Sequence, residues 1–256
     1  MTVKSATFLY KNYITSIDQL TVSSNTANRK QLINRNEETK FYAIGEGTGL
    51  TITWNPGSSK TINRIFLQNT NIKACTIKYN SNAVNFSPAI SVSGNEKPNL
   101  YFEMSDQSVD DVTVTVTDTI DGGGVRIGQM YIGKELYEIA TTIGGTLRHV
   151  PDVQQTINVM SDKTTQKVYV RRLRHYELGL VKVSTSNREY FETIYDENRR
   201  GTVVFVPYPA TGADTWNGWA GHYNWVNAPD MDNYTRDLPE NGYDINIVLQ
   251  QACGVG

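Results

Sequence analysis

Between Leu50 and Tyr79, apolar and polar residues alternate with a period of two, interrupted twice by turn-forming residues. Leu50-Thr51-Ile52-Thr53-Trp54 runs into Asn55-Pro56-Gly57-Ser58-Ser59, and Ile62-Asn63-Arg64-Ile65-Phe66-Leu67-Gln68 follows. Asn69-Thr70-Asn71 then leads into Ile72-Lys73-Ala74-Cys75-Thr76-Ile77-Lys78-Tyr79. A period of two places apolar side chains on one face of a strand and polar ones on the other, while Gly, Pro and Asn mark the ends of strands. Three such strands in succession predict the start of a β-sandwich. The clearest strand comes later, where Val112, Val114 and Val116 alternate with Thr113, Thr115 and Thr117. Both residue types favour strands, so one face is expected to be buried and the other wet.

Further strands are expected at Thr7–Tyr13, Gln19–Val22, Phe41–Ile44, Leu100–Met104 and Val125–Ile132, with residues 28–38 and the Ser/Asn-rich stretch up to Pro98 as loops. Asp121-Gly122-Gly123-Gly124 reads as a flexible turn. It enters a strand and lacks a following Gly-Lys-Ser/Thr, so it is not a phosphate loop. After Gly133 the pattern changes. Gly144-Gly145, Pro151 and many polar residues mark 140–165 as a boundary region, dividing the chain into 1–135 and 136–256. The second part holds the one strong helix signal, about 187–200. Ser186 and Glu189 fit a capping box, and Tyr190, Phe191, Ile194 and Tyr195 give an apolar stripe. Arg199 and Arg200 suit the negative end of the helix dipole, and Gly201 stops it. A buried strand at Thr202–Val206 and an alternating one at Tyr243–Leu249 complete a β-rich chain with one packed helix.

Composition narrows the function classes. With 39% apolar and 20% charged residues the chain is of ordinary globular composition, and its 256 residues suffice for a core that needs no metal or disulfide staple. The net charge of −2 lacks the basic excess of a nucleic-acid binder, and Lys167–Arg174, the densest basic run, reads as a charged sheet face or interface edge. No stretch approaches the length of a membrane span, and no apolar run follows Met1, so synthesis in a cytoplasm without a signal peptide is expected. Cys75 and Cys253 follow no metal or redox spacing. Cys75 reads as a buried small hydrophobe. The 15 Tyr against 7 Phe suit either a protein rich in interface or a large sandwich with Tyr at its strand ends. The sequons at Asn85 and Asn233 read as accidental.

Candidate chemistry is sparse. His149, His175 and His222 have no partner at metal-ligand spacing. Asp230, Asp232 and Asp237 lack the Gly and distal Glu of a calcium loop. Carboxylate pairs such as Glu37-Glu38 and Asp110-Asp111 are adjacent rather than opposed across a cleft. No catalytic set, metal or cofactor is therefore expected. The most distinctive segment is an expected loop from Pro207 to Pro239, in which Trp216, Trp219 and Trp225, three of the four Trp, fall close together with His222 and Tyr223. Such a loop suits a partner interface, a satellite core folded onto a sheet, or stacking on sugar faces. Trp216, Trp219, His222, Tyr223 and Trp225 are accordingly the candidate partner- or glycan-binding residues.

The strands Leu50–Trp54, Ile62–Asn69, Ile72–Tyr79 and Val112–Thr117, with the turn at Pro56-Gly57, resemble a discoidin or galactose-binding-like jelly roll. That resemblance implies a sandwich of a kind often used for glycan or surface binding, and covers about half of the chain. The sequel is similar to tailed-bacteriophage minor tail and baseplate proteins, including distal-tail-like ring proteins. It comprises Arg126–Gly133, then strands, the capped helix, Thr202–Pro207, the aromatic loop and Tyr243–Gln250. This second resemblance implies a non-enzymatic virion component in the tail or baseplate, acting by ring-like self-assembly and contact with other tail proteins. The alternative function is a carbohydrate-binding module using the jelly roll or the Trp216–Trp225 loop, with a host-surface glycan as partner. The fold class expected is mainly β, an N-terminal jelly-roll sandwich followed by a second β-rich domain with one packed α-helix.

Overall fold

The computed structural model describes residues 6–33, 40–43, 49–134, 136–139, 144–159, 165–199, 203–207, 220–227, 230–233 and 242–251. The strands are β1 (Thr7–Leu9), β2 (Leu20–Val22), β3 (Phe41–Ala43), β4 (Leu50–Trp54), β5 (Lys60–Gln68), β6 (Ile72–Tyr79), β7 (Val84–Val92), β8 (Leu100–Val109) and β9 (Val112–Thr119). They continue as β10 (Val125–Ile127), β11 (Gln129–Gly133), β12 (Leu136–Glu138), β13 (Gly144–Val159) and β14 (Thr165–Val183). After helix α1 (Thr185–Arg199) come β15 (Val203–Val206), β16 (Gly221–Trp225), β17 (Asp230–Asn233) and β18 (Tyr243–Gln251). The chain groups into two compact units: residues 1–138 with 205–221, and residues 139–204 with 222–256.

The first unit is the sandwich. One antiparallel sheet has the order β2-β4-β9-β6-β7 and the other β11-β5-β8, with β3 and β10 forming a separate pair. The register turns the alternation into a core. Leu50 lies opposite Val116, Ile52 opposite Val114 and Trp54 opposite Val112, so three apolar pairs share the inner face. Thr51 and Thr53 fall opposite Thr115 and Thr113 on the other face, with the Thr53 and Thr113 hydroxyls 3.0 Å apart. Cys75 and Ile77 extend the inner face. Ile65 and Leu67 of β5, Leu100 and Phe102 of β8, and Met130 and Ile132 of β11 close the same cluster from the opposite sheet. Full burial stabilises each of the larger side chains by roughly 1.5–3 kcal/mol. The Cys75 thiol is driven up to about 12 by its burial, which makes it inert.

The three-stranded sheet is buried on its second face too, where Phe66, Tyr101 and Tyr131 are covered together with Arg64. A buried guanidinium is tolerated only with its donors met. Arg64 Nε donates to the Tyr101 hydroxyl at 3.0 Å and Nη1 to the Asn63 carbonyl at 2.9 Å. Its Nη2 lies 3.4 Å from both Glu103 and Glu138. Enclosure beside this cation leaves the Tyr101 phenol pushed up to about 12, desolvation being the larger effect.

In the second unit β13 and β14 form one long hairpin, and β14 continues into pairing with β18. Tyr176, Leu178 and Leu180 lie opposite Leu249, Ile247 and Ile245, and all six are buried. Helix α1 buries Phe191 and Ile194, and its Tyr195 ring meets Trp225 edge-on at 5.4 Å. Arg188 lies over the Tyr243 ring, 4.8 Å from its centroid.

The structure confirms the class, mainly β with one packed α-helix among the described residues, and corrects several local expectations. The helix cap is Ser184, whose Oγ accepts from the Asn187 amide at 3.3 Å and whose carbonyl accepts from Arg188, so Ser186 lies inside the first turn. Ser184 is the first hydroxyl after β14 and takes the position. Tyr190, expected in the apolar stripe, is exposed. Residues 26–32 form a 3-10 helix rather than a loop. The Ser/Asn-rich stretch contains β7, an edge strand whose register shifts around Pro88, a residue tolerated at an edge because it has no amide to donate. Val125–Ile132 is two strands, β10 and β11, that pair with different partners. The polar region 140–165 contains the whole of β13.

Candidate functional site

At one end of the sandwich the connections β5–β6, β7–β8 and β9–β10 meet, and asparagine side chains tie them together. Asn71 is buried, and its amide group donates to Asp121 Oδ1 at 2.8 Å and to the Gly124 carbonyl at 3.0 Å. Its carbonyl oxygen accepts from the Arg126 amide at 2.7 Å, so both of its donors and its acceptor are engaged. Asn95, with no exposed surface, donates to the carbonyls of Ile72 (2.7 Å) and Lys97 (2.8 Å) and accepts from Lys97 N (3.0 Å). Asn99 accepts from Asn69 N at 2.9 Å and donates to the Ala220 carbonyl at 2.7 Å. Asn69 itself takes a left-handed backbone, φ 53°, which Asn tolerates better than most residues. Buried polar groups satisfied this fully hold irregular backbone in one arrangement.

On this base stands an exposed group of side chains. Tyr42 of β3 is 40% exposed. Arg126 of β10 is its cross-strand partner in register. The Arg126 guanidinium pairs with Asp121, both side chains being nearly half exposed. The Asn25 amide donates to the Tyr42 carbonyl. A Cβ at Gly124 would overlap the Ala43 carbonyl oxygen and lie 3.1 Å from Tyr42 Cε2, so glycine is what lets the turn come this close to the ring. The Asp121 carboxyl is held below its ordinary value, first by the Asn71 hydrogen bond, then by the Gly123 amide and the charge of Arg126, against a partial desolvation. Ile120, 42% exposed, follows β9 in the same connection.

An open aromatic face beside an ionised carboxylate and a guanidinium can stack on an apolar ring face while exchanging hydrogen bonds with hydroxyls. The group contains no nucleophile–base pair and no opposed carboxylates. Among the described residues no cluster of three His, Cys, Asp or Glu could hold a metal ion.

The residues singled out in the sequence lie elsewhere. His222, Tyr223 and Trp225 sit on β16, a strand rather than the expected loop, and retain 7%, 0% and 5% of their surface. Tyr223 meets Tyr176 edge-on at 5.5 Å, and burial drives its phenol strongly upward. A ring enclosed in this way has no free face for a sugar, so a binding role for these three would require them to leave the core. Trp216 and Trp219 lie outside the described residues, as does Asp237; Asp230 and Asp232 are on β17. His149 packs against Tyr176 with centroids 5.0 Å apart, and His175 Nε2 lies 3.8 Å from Glu177. Tyr42, Asp121 and Arg126 are not among the candidate site residues that the sequence suggests. The available signal was Asn71 three residues after a strand, followed at a distance by Asp-Gly-Gly-Gly, but only the fold brings the two together.

No protein-family model matches the chain, and no curated protein matches it in sequence. Similar solved structures include chitosan-binding module 2 of a chitosanase/glucanase from Paenibacillus sp. IK-5 in complex with chitotriose, 14% identical, covering 44% of this chain and 94% of that one with a TM-score of 0.39. Another is CpGH89CBM32-5 from Clostridium perfringens in complex with GalNAc-β-1,3-galactose, 16% identical, covering 44% and 93% with a TM-score of 0.38. A third is a Ruminococcus gnavus GH29 fucosidase in complex with fucose, 14% identical, covering 50% of this chain but 27% of that one with a TM-score of 0.39. At these identities and TM-scores the similarity by itself assigns nothing to this chain.

Proposed function

We propose that the first unit is a non-catalytic carbohydrate-binding module that grips a saccharide on the Tyr42, Asp121 and Arg126 group. The observation that carries this is the exposed Tyr42 beside its cross-strand partner Arg126, whose guanidinium pairs with Asp121, on a base of buried, fully bonded asparagines. The ring offers a stacking face, and the pair supplies an acceptor and several donors for neighbouring hydroxyls. The test is a glycan array followed by titration calorimetry. Tyr42→Ala is expected to weaken retention of the best glycan at least tenfold while leaving the melting temperature within a degree or two, because the side chain is largely outside the core. Equal binding by wild type and Tyr42→Ala would sink the proposal.

Assembly in several copies, with a place in a phage tail or baseplate, is the second proposal. It is favoured by one observation, the outer part of the β13–β14 hairpin, which has no third strand beside it among the described residues. Antibody labelling of particles in the electron microscope tests the virion location, which a gold label at one tail end would support.

A further inference from the structure

Asp110 and Asp111 form the connection between β8 and β9, and they are bonded to the turn between β6 and β7. That turn is strained. Asn80, Ser81 and Asn82 follow one another with φ of 53°, 59° and 60°, in the left-handed region that chiral residues resist. Bonds to the neighbouring connection hold it there. Asn80 N donates to the Asp111 carbonyl at 3.3 Å, and Asp110 N donates to Asn80 Oδ1 at 3.0 Å. Ser81 N donates to both carboxylate oxygens of Asp111, at 3.0 Å to Oδ1 and 2.8 Å to Oδ2.

Two of these bonds fall on the atoms of one reaction. The side-chain carbonyl carbon of an asparagine is open to attack by the backbone nitrogen of the next residue. For this the nitrogen must lose its proton while negative charge gathers on the carbonyl oxygen. At Asn80 the Asp111 carboxylate sits on the Ser81 N–H as an acceptor for that proton, and the Asp110 N–H sits on Oδ1 where the charge develops. Other asparagines with a left-handed backbone lack the acceptor. Thr70 N, after Asn69, donates to the Pro98 carbonyl at 2.7 Å, and Ala83 N, after Asn82, to the Tyr79 carbonyl at 3.2 Å. A peptide carbonyl is far too weak a base to take up an amide proton. Asn80 is half-buried and Ser81 exposed, so water reaches the site, and the small Ser81 side chain leaves the approach open.

We propose that Asn80 is a self-modifying site, at which the chain converts its own asparagine to aspartate and isoaspartate through a succinimide. The Ser81 nitrogen bonds to Asn80 Cγ as its proton passes to Asp111. Asp111 then gives the proton to Nδ2, the Cγ–Nδ2 bond breaks and ammonia leaves. Water opens the ring at one of its two carbonyl carbons, so the net change is amide plus water to carboxyl plus ammonia. The product sets a new carboxyl beside Asp111, and its isoaspartyl form adds a carbon to the backbone of the turn. Both oppose the bonds that tie this turn to the β8–β9 connection. The site lies where β6 ends and β9 begins, at the opposite end of these strands from Asn71 and Asp121, and is independent of the saccharide reading.

The test is peptide mapping by mass spectrometry on the full chain held at neutral pH, with isoaspartate measured in the same digests. Conversion at Asn80 is expected to run about tenfold ahead of Asn69 and Asn82, and to slow about tenfold when the chain is unfolded in urea. Asp111→Asn is expected to slow it by a similar factor with circular dichroism unchanged. A purely structural Asp111 gives the reverse, because loosening the turn frees the asparagine to react. The urea comparison uses wild type alone and stands even where Asp111→Asn fails to fold. Conversion at Asn80 no faster than at Asn69 and Asn82, or faster in urea or in a folded Asp111→Asn, would overturn the proposal.

Discussion

The two units use the same element in opposite ways. In the first, strands of three to ten residues are folded back on their neighbours, and the facing sides of the two sheets meet in one shared core. In the second, β13 and β14 run for 16 and 19 residues, and β18 flanks only the His175–Val183 part of β14. Short strands bury one face and end in turns, where loops can be built into a site. Long ones outrun their own core and carry backbone edges outward. The sandwich is therefore the place to look for a small ligand, and the hairpin the place to look for another chain.

The sharpest way to break this contrast is in the sandwich core. Trp54→Ala removes one of its largest wholly buried side chains and is expected to cost about 3–5 kcal/mol, seen as an earlier midpoint in urea. Thr53→Val, one residue away on the outer face, is expected to change stability by about 1 kcal/mol or less. Similar losses at the two positions would refute the inward and outward assignment that the register implies.

A middle-sized effect is expected at the loop end. Gly124→Ala forces a methyl group against the Ala43 carbonyl, at an expected cost of about 1–3 kcal/mol. By moving β3 away from β10 it should also abolish glycan retention. If the variant binds sugar normally, the position of the Tyr42 ring does not depend on that close approach.

The smallest effect is titration. Asp121 has its carboxyl pKa lowered in the folded state, so its contribution to stability is complete above the ordinary carboxylate value of about 4 and is lost as pH falls through the lowered folded value. Unfolding midpoints measured between pH 7 and 3 should fall less steeply for Asp121→Asn than for wild type. Identical slopes would mean that Asn71 and Arg126 do not favour the ionised form.

Legibility in the sequence followed the same division. Leu50–Trp54 was read to the residue and Val112–Thr117 nearly so, because their alternation is local and their burial one-sided. β7 was missed because an edge strand buries little, here Phe86, Ile90 and Val92, and its pairing is offset around Pro88. β13 was missed because its middle is polar, so nothing local distinguishes it from a linker. Within the Trp-rich segment, the described strand β16 differs from the expected loop for the converse reason. Clustered aromatics announce contact area, yet Tyr223 and Trp225 spend theirs on Tyr176 and Tyr195 inside the unit. The candidate site depends on residues far apart in sequence, Tyr42, Asn71, Asp121 and Arg126, and no window along the chain contains all four.

Gly124 carries a consequence for how such a surface could change over generations. A binding loop usually diversifies through its own side chains, but here the turn nearest the aromatic ring is locked at a position where every chiral amino acid collides with backbone. Mutational exploration is thereby shifted off the turn and onto its exposed borders, Tyr42 and Ile120. New specificities would have to arise as changes of furniture around a fixed wall, and descendants of this chain would differ in ligand while sharing one unalterable bend.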